Sequence, residues 1–277
     1  MRVKGAWRAM NAPGVWISLA LLGAVVGAAL FAPVLTPYAA EGAGLPNMAH
    51  KLLAPSLDHP FGADEMGRDL LARVMFGART SLLLAALVVG SSVVAGVLVG
   101  LAAGATGGWL DETAMRVTDI FLAFPPLLLA ILLVAVLGGG FTSAVLALAL
   151  AWWPFYAVLV RGQVVSMRGR PFVEAAQATG ASPLRIAWRH LLPNALGPLL
   201  VQATVDIGAV ILVASGLSFI GLGPQPPTAD WGLMIASGRQ FVLSGSWWVA
   251  GFPGLAILLT ALAFAVLGDA LREAASQ

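Results

Sequence analysis

Few residues in this 277-residue chain are equipped for chemistry, and their positions narrow what that chemistry can be. Asp206 stands alone in the apolar run VQATVDIGAVILV. His50 and His59 lie nine apart between the first two apolar runs. Arg170, Glu174, Arg185, Arg189 and His190 crowd into RPFVEAAQATGASPLRIAWRHLLPNA, residues 170–195. Asp230, Trp231 and Gly232 punctuate a stretch rich in glycine and proline. There is no cysteine, so neither a disulfide framework nor a thiolate metal site is possible.

Enzymatic readings find little support in these residues. A serine hydrolase would need a convergent Ser, His and acid, and no Gly-x-Ser-x-Gly elbow occurs. A P-loop needs GxxxxGK[ST], whose backbone donors and lysine cradle phosphates. The only lysines are Lys4 and Lys51, neither preceded by glycine, so this chain cannot supply that site. The histidine pair invites a metal reading, but spacing nine with no organised acid cluster points to two solvated loop side chains. No catalytic residue and no metal ligand is assigned.

Asp206 is different because of where it sits. A charged side chain at the centre of a bilayer costs on the order of 2.5–3.5 kcal/mol on insertion scales, so it should face a bundle interior or a water-filled cavity. A residue lining a translocation path is the functional reading. An aspartate hydrogen-bonded within the bundle or to a sister subunit is the alternative. Asp119, following Met115 and Arg116, is expected at the start of a spanning helix, where the helix dipole favours a negative charge.

The elements that must position these residues follow from composition. Hydrophobic residues make up 59% of the chain and charged residues only 10%, against roughly 25% charged in soluble domains. Mean hydropathy is +0.90. Runs of about 18 or more apolar residues recur, each long enough to cross a bilayer as a helix. The fold class is all-α, a polytopic membrane protein with six spans at 15–35, 81–104, 120–137, 141–161, 196–217 and 247–268. Arg2, Lys4 and Arg8 before the first run copy the charge order of a secretory signal, but a signal core is usually only about 7–15 residues. An uncleaved first helix is expected.

With residues 1–14 inside the cell, ten of the fifteen Lys and Arg residues fall on the cytoplasmic side, as the positive-inside bias favours. Both termini, 1–14 and 269–277, are then cytoplasmic. Segments 36–80 and 221–246 are external. In the first, a short amphipathic helix is expected from Glu65, with Leu70, Leu71, Val74 and Met75 near one face. In the second, Asp230-Trp231-Gly232 reads as a turn before a short helix. Pro125-Pro126, Pro154 and Pro198 should start or kink helices. Gly96, Gly100 and Gly104 have the four-residue spacing that lets another helix approach closely.

The polar stretch reads as two short helices between spans four and five. The first begins near Pro171, suited to the first helical position, and ends before Gly180, suited to a left-handed stop. Ser182 is the expected N-cap of the second, which starts at Pro183. An alanine-lined helix with flanking charges suits either another protein's groove or a lipid headgroup layer, and physics alone leaves the two open.

The wording of the stretch adds a resemblance. EAAQATG, then nine residues, then His190-Leu191-Leu192-Pro193 resembles the EAA–G–LP loop of ABC-transporter permeases of the binding-protein-dependent importer class. His190 stands where that pattern more often has an aliphatic residue. RHLLPNALGPLL, HPFGADEMGRDLLARVMFGARTSLLL, GGWLDETAMRVTDIFLAFPPLLLAILLVAVLG, LSFIGLGPQPPTADWGLMI and LGDALRE resemble the C-type subunit of its dipeptide, oligopeptide and nickel branch, from about residue 15 onward. The resemblance implies the type I importer (MetI-like) permease fold over 81–268, with coupling helices within 170–193. Glu174, Ala175, Ala176, Gly180, Arg185, Leu192 and Pro193 would contact an ATPase.

It also implies a homologous permease as partner, two ATPase subunits that hold the ATP and Mg, and a periplasmic or lipid-anchored binding protein. No cofactor belongs to this chain itself. Asp230, Trp231 and Gly232 would meet the binding protein or form the outer gate, and Asp206 would line the substrate path. The location implied is a bacterial inner membrane. Peptides are the first expected cargo, with nickel, a nickel chelate or glutathione as alternatives. A secondary transporter, the rival from another class, would show inverted repeats with broken helices at the midplane, and none is visible here.

Overall fold

The computed structural model describes residues 13–276. The expected cytoplasmic Arg2, Lys4 and Arg8 lie outside these. Helices α1 (Pro13–Leu35), α2 (Ala39–Ala43), α3 (Leu70–Thr106), α4 (Gly108–Leu122), α5 (Pro126–Leu137) and α6 (Phe141–Met167) form the first part of the chain. They are followed by α7 (Pro171–Ala178), α8 (Pro183–Ile186), α9 (Leu192–Phe219), α10 (Trp231–Val242) and α11 (Trp248–Ser276). Among the described residues the only β pairing is a single bridge between Ala63 and Asp69.

Among the described residues five helical stretches are long and apolar enough to cross a membrane unbroken, and the expected third span is not one of them. Residues 120–137 divide between α4 and α5, which meet at 87°. The cause is Pro125-Pro126. Pro126 sits in the first turn of α5, and the residue before a proline is driven out of helical geometry. Pro125 accordingly is extended at φ −56°, ψ 131°. Asp119 therefore ends α4 rather than starting a span, and its carbonyl accepts from the Ala123 amide.

The pair α4–α5 still carries the chain across the bundle. Gly96 of α3 faces Tyr156 of α6, Gly100 faces Ala157 and Gly104 faces Val164, so the two helices run parallel. The chain must return between them. Its return starts where Gly107 meets the Arg168 guanidinium and ends where the Gly140 amide reaches the Leu222 carbonyl. With the bent pair taken as one span, six crossings result among the described residues, the third one broken.

Those three glycines hold α3 and α6 together by having no side chain. A Cβ on Gly96 would lie 2.9 Å from the Trp153 carbonyl oxygen, and one on Gly104 would lie 2.9 Å from the Val164 Cβ. A Cβ on Gly100 would collide with the Ala157 carbonyl. Half of the most apolar window of α6 is buried, against 28% for α1, so α6 is central and α1 peripheral. Gly208 of α9 approaches the Ala261 backbone of α11 in the same way.

No amphipathic helix starts at Glu65. The Asp69 carboxylate caps α3 instead, accepting from the Ala72 amide at 2.7 Å, and Leu70 begins a helix of 37 residues. At about 1.5 Å per residue α3 exceeds the roughly 30 Å hydrocarbon thickness, so it projects beyond the membrane.

Candidate coupling surface and membrane cavity

At one end of α3 the chain forms the two short helices that the sequence anticipates. Arg170 is extended, Pro171 takes the first turn of α7, and Val173, 2% exposed, anchors it to the core. Glu174, Ala175, Gln177 and Ala178 are exposed on its outer side. The helix stops in a Schellman motif: the Ala181 amide donates to the Ala176 carbonyl at 3.0 Å and the Gly180 amide to Gln177 at 2.9 Å. Gly180 has φ +78°, and a Cβ there would meet open space. Glycine is needed for the backbone turn, not for a close approach within this chain.

Ser182 then caps α8, its hydroxyl accepting from the Arg185 amide at 3.4 Å. Residues Ala187–Leu191 widen into a π-turn before α9. Pro193 lacks the N–H that would bond the Arg189 carbonyl, and such wide turns are one way a helix accommodates an interruption. The Asn194 side chain donates to the His190 carbonyl at 2.6 Å.

The result is a groove of about 500 Å³ walled by Phe172, Ala175, Ala176, Thr179, Ala181, Arg185, Arg189 and His190. It brings together Ala175, Ala176 and Arg185 from the expected set. Glu174 stands on the exposed face of α7 outside the groove lining, while Leu192 and Pro193 belong to the α9 start. Phe172 and Arg189 complete the walls, and neither follows from motif spacing alone.

Two further contacts stiffen this end. Arg161 of α6 grips Asp111 of α4 through both oxygens, at 2.6 and 2.8 Å. Arg168 donates to the Ala105 carbonyl at 2.6 Å, tying the end of α6 to the end of α3.

Asp206 lies midway along α9 and is 7% exposed. Gln202, one turn earlier, donates to its Oδ1 at 2.9 Å. The Tyr156 hydroxyl and Trp152 indole of α6 are its other polar neighbours. Its Oδ2 and the Tyr156 hydroxyl are buried without a hydrogen-bond partner. Beside it opens a cavity of about 450 Å³ lined by Pro126, Trp152, Phe155, Val158, Leu159, Gln202 and Asp206. Asp206 thus stands at the edge of this cavity.

The far end of α3 is covered by an ordered layer rather than by loose loops. His59, 4% exposed, bonds Asp69 at 2.8 Å and stacks on Tyr38, with His50 edge-on at 4.8 Å. This corrects the solvated-loop reading for His59, which ring stacking and the Asp69 carboxylate draw inside, whereas His50 stays half-buried. Among the described residues no group of three His, Asp or Glu is arranged for a metal ion.

Asp230, Trp231 and Gly232 are likewise inside, 3% and 1% exposed for the first two, so these side chains present no outer surface. Asp230 caps α10 through the Leu233 amide at 3.0 Å, and the Trp231 indole donates to the Val74 carbonyl at 2.9 Å. A Cβ on Gly232 would run into the Ser215 backbone. Burial pushes the Asp230 carboxyl above the usual carboxylate range, and the bonds from Leu233 and Ser81 act against that. The trio fixes α10 against α3 and α9. Any outer docking surface must be built by its exposed neighbours.

Among the described residues, six crossings enclose a partly polar cavity and carry a capped, cation-rimmed helix pair outside the bundle, the architecture of a polytopic membrane protein with an interior cavity. The chain belongs to the family described as binding-protein-dependent transport system inner membrane component, whose model matches residues 96–277. Its fold is the type I importer permease fold. It is 42% identical over 258 residues to the dipeptide transport system permease protein DppC of Alkalihalophilus pseudofirmus, covering 93% of this chain and 84% of that one. It is 42% identical over 270 residues to the probable D,D-dipeptide transport system permease protein DdpC of Escherichia coli, covering 98% and 89%. The nickel transport system permease protein NikC of Escherichia coli is 38% identical over 265 residues, covering 94% and 92%.

Proposed function

We propose that this chain is the C-type permease subunit of an ATP-driven importer of dipeptides or short oligopeptides, with both termini in the cytoplasm. Its cargo path runs between it and a homologous permease, and Asp206 lines that path. Two ATPase subunits bind ATP and Mg and seat the α7 helix in a cleft; a periplasmic or lipid-anchored binding protein delivers cargo at the opposite end. The chain performs no covalent chemistry.

The observation that carries this reading is the α7–α8 pair. A short exposed helix, stopped by a Schellman motif and followed directly by the helix that enters the bundle, is a lever. Movement imposed on Glu174 and Ala175 is transmitted through Pro183–Pro193 into α9. Ordering such a pair on lipid alone would not require a groove with an apolar floor and Arg185, Arg189 and His190 on its rim. Peptide cargo is supported by the two dipeptide relatives. Nickel is the second reading, supported by the similarity to a nickel permease.

The test is purification of the chain from its native membrane, followed by reconstitution with the proteins that accompany it. Two ATPase subunits and ATP-dependent uptake of labelled dialanine are expected. Purification without any ATPase, or uptake of nickel and not of dialanine, would refute the importer reading or its cargo respectively.

A further inference from the structure

Asp206 poses a problem that its own chain does not solve. Its carboxylate is buried in mid-span among neutral groups only: Gln202 donates to Oδ1, the Tyr156 hydroxyl and Trp152 indole lie beside it, and Oδ2 has no partner within hydrogen-bond distance. Among the described residues no lysine, arginine or histidine forms an ion pair with it. A carboxylate so placed is costly unless a positive group answers it.

The cavity wall says what kind of group fits. Besides Asp206 and Gln202 it is made of Pro126, Trp152, Phe155, Val158 and Leu159. Aromatic faces attract cations through their quadrupole, most strongly when water is excluded. Divalent metals instead take several hard oxygen or nitrogen donors at once. One carboxylate and one amide among apolar walls match an organic ammonium better than a metal ion. The volume of about 450 Å³ falls in the range of small-ligand pockets, so the ammonium would belong to a larger molecule.

We propose that Asp206, with Trp152 and Phe155, forms a transit site for the α-ammonium group of a peptide on its way through the membrane. The carboxylate receives the charge, the rings cover it, and Val158 and Leu159 tolerate whatever side chain follows. Such a site distinguishes free from blocked N-termini without reading sequence. This inference rests on the importer reading above.

The experiment is saturation-transfer NMR on the detergent-solubilised heteromeric complex without its binding protein. The probes are alanyl-alanine amide, its N-acetyl derivative and n-butylammonium. Both cationic probes should receive saturation and the acetylated one should not. Asp206→Asn, nearly isosteric, should weaken the cationic probes about tenfold or more, as expected for a lost charge-assisted hydrogen bond. Phe155→Leu, at a half-exposed position where misfolding is not expected, should weaken them by a smaller factor.

Equal binding of the acetylated probe, or unchanged binding in Asp206→Asn, overturns the proposal. So does loss of the sister permease from Asp206→Asn when the wild type binds no probe, because the carboxylate would then be answering a cation of that subunit. ATP-dependent dialanine uptake by the wild-type complex separates this from the importer reading. Uptake without ammonium binding sinks only the site. Ammonium binding with no ATP-dependent uptake of any peptide sinks the importer reading and, with it, the transit role, leaving only a static ammonium pocket.

Discussion

The Arg73 guanidinium donates to the Pro227 carbonyl at 2.9 Å, joining positions 154 residues apart. The same side chain also reaches the Gly42 carbonyl at 3.3 Å and the Thr228 carbonyl at 3.2 Å. One arginine at the head of α3 thus binds the 36–69 segment to the start of the 221–246 segment. Arg73→Met should leave three carbonyls short of donors and cost about 2–4 kcal/mol, given the usual worth of hydrogen bonds from charged groups. Thermal denaturation of the purified complex should show the loss. Limited proteolysis should cut at Gln225–Thr228 in the variant first. An unshifted melting curve would mean that the staple contributes nothing.

The parallel contact of α3 with α6 depends on glycine at position 100. Gly100→Leu cannot be accommodated without separating the two backbones, since a Cβ alone would strike the Ala157 carbonyl. Overpacking of this kind costs typically about 1–3 kcal/mol, and backbone contacts leave little room for relief. Gly90→Leu is the control, because its Cβ would meet open space. Fluorescence-detected size exclusion in detergent should show aggregation or loss for Gly100→Leu only. Equal behaviour of the two variants would contradict the packing account.

How much of this was legible beforehand differs from element to element. The small-residue spacing at Gly96, Gly100 and Gly104 pointed to a close helix contact, and the fold supplies it. Pro171, Gly180, Ser182 and Pro183 marked both short helices because caps and stops are local chemistry, written within a few residues. The break in the third span is not legible in hydropathy, which averages over 120–137, whereas the bend depends on two adjacent prolines forcing one backbone angle. Arg73, Arg161 with Asp111, and Tyr156 beside Asp206 were invisible for another reason. Each pairs residues dozens of positions apart or more, and one sequence contains no signal for distance. The inside positions of His59 and Asp230–Gly232 are hidden for the same reason, since loop composition reads as solvated until a tertiary partner covers it.

Orientation can be read with thiol chemistry, since the chain has no native cysteine. Ala43→Cys and Ser244→Cys occupy exposed positions on the two segments assigned to the outside. Both should react with an impermeant maleimide in intact spheroplasts, and Gln177→Cys on α7 only after lysis. The reverse pattern would invert the topology. Ala229, 5% exposed, is unsuitable for this purpose despite lying in the same segment.

Gly180→Val tests the lever mechanically. Positive φ costs a side-chain-bearing residue about 1–2 kcal/mol, and more for a β-branched one, so the Schellman turn should shift or fray. Dialanine uptake is expected to fall at least severalfold while the affinity of the binding protein for cargo stays unchanged. Glu174→Lys, which reverses the charge offered by α7, should act in the same direction. Ser244→Ala, at an exposed position in the 221–246 segment, is the control. Normal uptake in both α7 variants would contradict the transmission of movement through this helix.

Contact between α7 and an ATPase can be read with a photo-crosslinker placed on the helix. Benzoylphenylalanine at Gln177, exposed on the outer side of α7, would be irradiated in native membranes and its adducts identified by mass spectrometry. A single dominant adduct with an ATP-hydrolysing subunit is expected, lost from Gly180→Val membranes and absent when the probe is moved to Ser244. Adducts with lipid alone, in membranes where the ATPase is present and active, would contradict it.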